Sequence, residues 1–153
     1  MRIELLLNGE SAATEVEPNT LLLDMLRDDF RLTGAKRSCD VQVCGTCTVL
    51  VDGQPVSACT YLACEADGRD VLTIEGFAEL EEFERYAAAF ERHAAVQCGF
   101  CTPGFLLTLK SLADAGELSG EDDIRHGLEG NLCRCTGYRA ILEAARDIAE
   151  AVA

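Results

Sequence analysis

Positive charge is scarce in this 153-residue chain: 13 Lys and Arg stand against 27 Asp and Glu, for a formal net charge of −14. A nucleic-acid surface needs a basic stripe, and an anionic membrane surface attracts clustered Lys and Arg. Neither partner fits this balance. No apolar run approaches the ~20 residues of a bilayer span. The opening MRIELLLNGE alternates apolar and polar residues, with no long apolar stretch and no arginine pair. The expectation is a cytoplasmic chain without an export signal. Only two histidines occur, His93 and His126. Neither has a partner at ligand spacing, which disfavours a histidine-ligated Rieske-type centre. Nucleophile–base arrangements, phosphate-binding glycine loops, internal repeats and low-complexity stretches are also missing. The acidic runs ELEEFE and EDD read as solvated helix faces. The pattern suits an electron carrier better than a site of bond-making chemistry.

What the chain does have is cysteine, nine of them in 153 residues. In a reducing compartment these stay as thiols, so metal binding outranks disulfides, and the odd count leaves one outside any paired scheme. A chain of this length makes one ordinary domain or two small ones, and small units gain most from a metal staple.

Two patterns divide the chain. In the first half, Ile3, Leu5 and Leu7 share one strand face, and Asn8–Gly9 gives a hairpin turn toward ATEVE. Thr20 is placed to cap a helix running to about Phe30, with Leu22, Met25 and Leu26 inward. TVLVDGQPVS reads strand–turn–strand around Asp52–Gly53, and DVLTIEG reads as a further strand. The second half is helical. Leu80, Phe83, Ala87, Phe90 and Ala94 recur at three and four. Thr102, Pro103 and Gly116 punctuate a second helix, Ser119 and Asp122 form a capping-box pattern for a third ending near Gly130, and Thr136 caps a fourth through Ile141, Ala145 and Ile148. The fold class expected is α+β: a unit of residues 1–76, then a four-helix unit of residues 77–153.

Eight of the cysteines fall into two sets of four. Cys39-x4-Cys44-x2-Cys47, followed after eleven residues by Cys59, has the spacing of a plant-type ferredoxin [2Fe–2S] loop. Gly45 lies between two of these thiols, where a missing Cβ lets backbone N–H groups approach. Zinc is the competing reading, but zinc sites usually pair two C-x2-C knuckles. The second set, Cys98-x2-Cys101 and Cys133-x-Cys135, suits either structural zinc or a second [2Fe–2S] cluster. Cys101 and Cys135 each precede an expected helix start, whose N–H groups and dipole favour an anionic cluster. Cys64, the ninth, reads as a small buried hydrophobe.

The segments LTGAKRSCDVQVCGTCTVLVDGQPVSAC, VLTIEGF, QCGFCTPGFLLT and EGNLCRCTGYRAILEA span nearly the whole chain. In that order they resemble the small iron–sulfur subunit of the xanthine oxidase family of molybdenum hydroxylases. The resemblance implies an N-terminal β-grasp, plant-type ferredoxin-like domain holding a distal [2Fe–2S] cluster on Cys39, Cys44, Cys47 and Cys59. It implies a helical domain holding a proximal [2Fe–2S] cluster on Cys98, Cys101, Cys133 and Cys135. By the same carry-over Gln97 and Cys135 contact the molybdopterin cofactor across a subunit interface. The implied partners are a large molybdopterin-binding subunit and a medium FAD-binding subunit, in a dimer of heterotrimers, with electrons passing from molybdenum through both clusters to FAD. This chain would bind neither substrate nor, by itself, FAD. The other readings are a free-standing two-cluster ferredoxin and a zinc-stapled interaction module.

In one place the chain departs from that family, which usually reads G-C-G-x-G-x-C around the first cysteine. Here the stretch reads Ser38-Cys39-Asp40-Val41-Gln42-Val43-Cys44, and Ser38, Asp40 and Val41 mark its departure from the glycine-rich loop. A Cβ at those positions restricts the loop, and an Asp40 carboxylate beside an anionic cluster is expected to lower its reduction potential.

Overall fold

In the computed structural model, residues 1–152 are described. Five strands form one mixed sheet: β1 (Arg2–Leu7), β2 (Glu10–Glu15), β3 (Thr48–Val51), β4 (Gln54–Ser57) and β5 (Asp70–Leu72), ordered β2-β1-β5-β3-β4. β1 and β5 run parallel, and the other pairs are antiparallel. The hairpin turns follow from their sequences, since Asn8–Gly9 and Asp52–Gly53 all adopt positive φ, the requirement of a type I′ turn. Ile3, Leu5 and Leu7 are buried, as their alternation requires.

The helix after β2 differs from the sequence reading. It is one short turn, α1 (Leu22–Asp24), running into a wider turn, Met25–Asp29, that closes with Phe30 N–H donating to the Met25 carbonyl at 3.3 Å. Thr20 does not cap it: its hydroxyl accepts instead from the Glu17 N–H at 3.1 Å, and Leu21 holds the cap position. Leu22, Met25 and Leu26 are buried as expected. DVLTIEG is only half strand. β5 ends at Leu72, and Thr73 opens the short helix α2 (Ile74–Ala78). Asn8 fixes that switch, its Oδ1 accepting from the Thr73 N–H at 2.8 Å.

Four longer helices follow: α3 (Phe83–Arg92), α4 (Thr102–Asp114), α5 (Glu121–Gly127) and α6 (Arg139–Val152). The core face of α3 is Tyr86, Ala89 and Phe90. Of the residues expected there, Phe90 is buried and Phe83 half-buried against the core, whereas Ala87 is only half-buried and Leu80 and Ala94 lie exposed outside the helix. Tyr86 joins that face because it packs edge-on against Phe77, as Phe83 also does. Cap positions differ as well. Cys101 rather than Thr102 precedes α4, and Gly120 precedes α5 while Ser119 Oγ turns back to the Gly116 carbonyl. On α6, Ile141, Ala144, Ala145 and Ile148 are buried.

Two apolar cores result, one under the sheet and one among the helices. β3 serves both. Val49 and Val51 enter the first core and Leu50 the second, and with Thr48 all four of its residues are buried. α4 packs against it, pinned by Ser111 Oγ donating to the Gly53 carbonyl at 2.7 Å. This shared strand holds the two halves together and brings the two cysteine sets near one another.

Candidate metal centres

The loop after residue 36 carries three thiols to the edge of the first core, and Cys59 at the end of β4 meets them. Cys39 neighbours Cys44, and Cys47 neighbours Cys59. Backbone N–H groups converge on Cys39: those of Val41, Val43 (3.4 Å) and Cys44 hold its thiol down to about 6. Burial pushes Cys47 up to about 12, so it gives up its proton only to a metal.

The second set forms around the start of α4 and the loop before α6. Cys98 and Cys135 stand 3.6 Å apart, sulfur to sulfur, and Cys101 faces Cys133. Burial raises Cys101 to about 12. Burial works against the Cys133 thiolate, but the Thr136 hydroxyl at 3.1 Å and N–H at 3.5 Å, together with the Cys135 N–H and the Cys101 thiol, hold it below its ordinary value. Thr136 was expected to cap α6; it faces sulfur instead, and α6 begins three residues later. Only Cys101 adjoins a helix start, so the helix-dipole expectation holds there and fails at Cys135.

Among the described residues no three or more His, Cys, Asp or Glu side chains converge to hold a single metal ion. The thiols come in pairs, two pairs to a set. Two thiolates on one tetrahedral metal with bonds of about 2.3 Å stand about 3.8 Å apart, close to the Cys98–Cys135 separation of 3.6 Å. Two pairs per set suit two irons, and N–H and O–H groups aimed at sulfur suit an anionic cluster. The residues present therefore fit a [2Fe–2S] group in each set.

The two sets are bonded to each other through backbone. Leu132 N–H, one residue before Cys133, donates to the Cys44 carbonyl at 2.9 Å. Asn131, 4% exposed, donates its side-chain N–H to the Gly45 carbonyl at 3.3 Å. Gly45 has φ 67°, and a Cβ there would lie 2.4 Å from the Gly130 carbonyl oxygen. The reason for glycine here is the approach of the two loops, beyond the access to sulfur read from the sequence.

Comparison with known proteins agrees with this geometry. Residues 5–71 match the family model of a 2Fe-2S iron-sulfur cluster binding domain, and residues 73–146 that of a [2Fe-2S] binding domain. The 6-hydroxypseudooxynicotine dehydrogenase complex subunit beta of Paenarthrobacter nicotinovorans is 45% identical over 95% of this chain and 92% of its own length. The xanthine dehydrogenase iron-sulfur-binding subunit of Escherichia coli O157:H7 is 42% identical over 95% and 92%. A chain of the crystal structure of quinoline 2-oxidoreductase from Pseudomonas putida 86 superposes with TM-score 0.92 at 42% identity, over 99% of this chain and 95% of that one. This chain belongs to the xanthine oxidase family of molybdenum hydroxylases, as an iron–sulfur subunit.

Within this iron–sulfur subunit, the remaining sequence-predicted residues are placed as follows. Gln97, Cys98 and Cys135 are exposed, with Cys98 and Cys135 3.6 Å apart, and Val96, Phe100 and Leu132 in the same stretches of chain are exposed as well. Cys64 is half-buried rather than buried, its sulfur 4.0 Å from the Pro18 carbonyl. His126 is exposed, and His93 ends α3 beside Asp147 at 3.1 Å. In the first thiol loop Asp40 and Gln42 take the left-handed backbone that the family's glycines allow, at φ 56° and 58°. The loop thus keeps a glycine-like path at some strain, which Asp bears better than Gln. The Asp40 carboxylate is also not a free charge: Arg37 Nη1 donates to it at 2.7 Å.

The sequence reading gave Thr136 a different role, as a helix cap, and missed Asn131, Gly104 and Arg37. All four lie in the cysteine segments, but nothing local marks their contacts. Thr136 has a measurable role in this geometry. Its oxygen accepts from the Tyr138 N–H at 3.2 Å, which leaves its one proton for Cys133. In Thr136→Val the proximal midpoint potential is expected to fall by about 1 kcal/mol, roughly 40 mV for one electron. Redox titration followed by EPR checks this, and an unmoved midpoint would remove Thr136 from the tuning of that cluster.

Proposed function

We propose that this chain is the electron-transfer subunit of a molybdenum–flavin hydroxylase or dehydrogenase complex. It passes electrons one at a time from a molybdopterin centre on a large subunit, through two [2Fe–2S] clusters, to FAD on a medium subunit, in a dimer of heterotrimers. Cys98, Cys101, Cys133 and Cys135 hold the proximal cluster; Cys39, Cys44, Cys47 and Cys59 hold the distal one. Each cluster, when bound, takes up and gives back a single electron.

The observation that carries the reading is the Leu132 N–H to Cys44 carbonyl bond of 2.9 Å. It joins the residue preceding one proximal ligand to a distal ligand, so the two cradles share one hydrogen bond and short stretches of chain. A stapling role for the metals would not need the two sets to be bonded together. The protein fixes the distance between the cradles and keeps water from the contact, with Gly45, Gly104 and Asn131 packed around it.

Docking surfaces for both partners are consistent with the exposed apolar residues. Val41 and Val43 lie exposed between two distal cysteines, and Val96, Phe100, Leu132 and Tyr138 lie near the proximal ones. Gln97 and Cys135 are the residues we assign to contact with the pterin. Relatives are subunits of a 6-hydroxypseudooxynicotine dehydrogenase complex and a xanthine dehydrogenase, which supports a substrate that is oxidised at the large subunit and gives up its electrons there.

The test is iron, acid-labile sulfide and zinc per chain after anaerobic purification. About four irons and four sulfides are expected, without zinc. About two irons, with zinc making up the balance, would leave the helical unit merely stapled and overturn the two-cluster reading.

A further inference from the structure

We infer that Arg37 sets the reduction potential of the distal cluster by holding the Asp40 carboxylate in an ion pair beside Cys39. This rests on the reading that Cys39, Cys44, Cys47 and Cys59 hold a [2Fe–2S] cluster. The left-handed backbone at Asp40, φ 56°, accompanies a contact with a residue three positions earlier in the chain. Arg37 Nη1 donates to Asp40 Oδ1 at 2.7 Å, and its Nη2 donates to Asp24. One guanidinium thus faces two carboxylates.

Two other cations of this segment, Arg27 and Lys36, are occupied elsewhere. Arg27 donates to the carbonyls of Thr33 and Ala35 at 3.0 and 2.7 Å. Lys36 donates to those of Thr33 and Gly34 at 3.1 and 2.9 Å. Both brace the segment leading into the loop, whereas Arg37 pairs with charge.

The electrostatic sign is definite. A [2Fe–2S] cluster on four thiolates is anionic and gains a further negative charge on reduction. A carboxylate on the residue after a ligand opposes that gain, and a guanidinium bound to it offsets the opposition. Arg37 is therefore a positioning residue, acting on the cluster through Asp40. The Arg37 and Asp40 side chains are 38% and 46% exposed, so solvent and salt screen the effect, and it should shrink as ionic strength rises.

The experiment is an EPR-monitored redox titration of the assembled complex at low and high salt, with the proximal cluster as internal reference. In Arg37→Gln the ratio of reduced to oxidised distal cluster at a fixed potential is expected to fall about threefold to tenfold. Tenfold corresponds to about 59 mV for one electron. Arg37→Lys, which keeps the charge, should lie between Gln and the parent, and adding Asp40→Asn to Arg37→Gln should restore most of the loss. A distal midpoint that stays put in Arg37→Gln, or a double variant no better than the single, would overturn the inference. If Arg37→Gln fails to retain the distal cluster, Asp40→Asn alone decides: its distal midpoint should rise, and an unchanged one overturns the inference. Absence of a second [2Fe–2S] signal in the parent complex would instead count against the two-cluster reading itself.

Discussion

Gly104→Ala is expected to destabilise the protein by about 2–4 kcal/mol, although alanine is the better helix former by about 1 kcal/mol. Gly104 lies in the first turn of α4, and a Cβ built there would sit 2.1 Å from the Gly45 carbonyl oxygen and 3.2 Å from its carbon. Both are backbone atoms, so no side chain can swing aside. The displaced carbonyl is held by Thr48 Oγ1 at 2.8 Å and by the Asn131 side chain at 3.3 Å. Moving it strains both bonds and shifts Cys44, whose carbonyl accepts from Leu132. Two measurements check this: the denaturant midpoint, and the magnetic interaction between the two clusters in EPR. Both should fall. A variant more stable than the parent would mean that helix propensity wins and that α4 can slide on the distal loop.

The other large effect belongs to Cys59→Ala. Iron is expected to fall from about four to about two per chain, with loss of one of two [2Fe–2S] EPR signals. Cys59 pairs with Cys47 in the core under the sheet, whereas Cys101 and Cys133 belong with the core among the helices. The proximal signal should therefore survive. In the assembled complex, substrate should still reduce the proximal cluster while turnover with the flavin's acceptor stops. Loss of both clusters together would show that the two cradles fold as one unit and would remove the independence argued from the separate cores.

Much of the architecture was legible in the sequence because it rests on local chemistry. The alternation of Ile3, Leu5 and Leu7, the Asn8–Gly9 and Asp52–Gly53 turns, and the spacing of Ile141, Ala145 and Ile148 each express a period or a backbone preference within a few residues. Helix starts were read less well. Thr20, Thr102, Ser119 and Thr136 all have the chemistry of a cap, yet none caps its helix. A hydroxyl takes the best partner within reach, and for Thr136 that is a cysteine sulfur. The strand expected through DVLTIEG stopped early because Asn8, 65 residues away in sequence, claims Thr73.

The sequence by itself determined the composition of each cradle: eight thiols, their spacing, and a glycine between Cys44 and Thr46. Those properties are covalent, set by residue type and by how few bonds separate one cysteine from the next. Only the tertiary structure decided how the cradles relate. β3 lies between two cores, so α4 seats against the distal loop, and Asn131 reaches Gly45 across 86 residues of sequence. Arg37 and Asp40 are three residues apart, yet they pair where the backbone at Asp40 is left-handed, a conformation that nothing in the residue types demands. Packing of two apolar cores fixes those distances, because a close approach between backbones is set by everything stacked behind them.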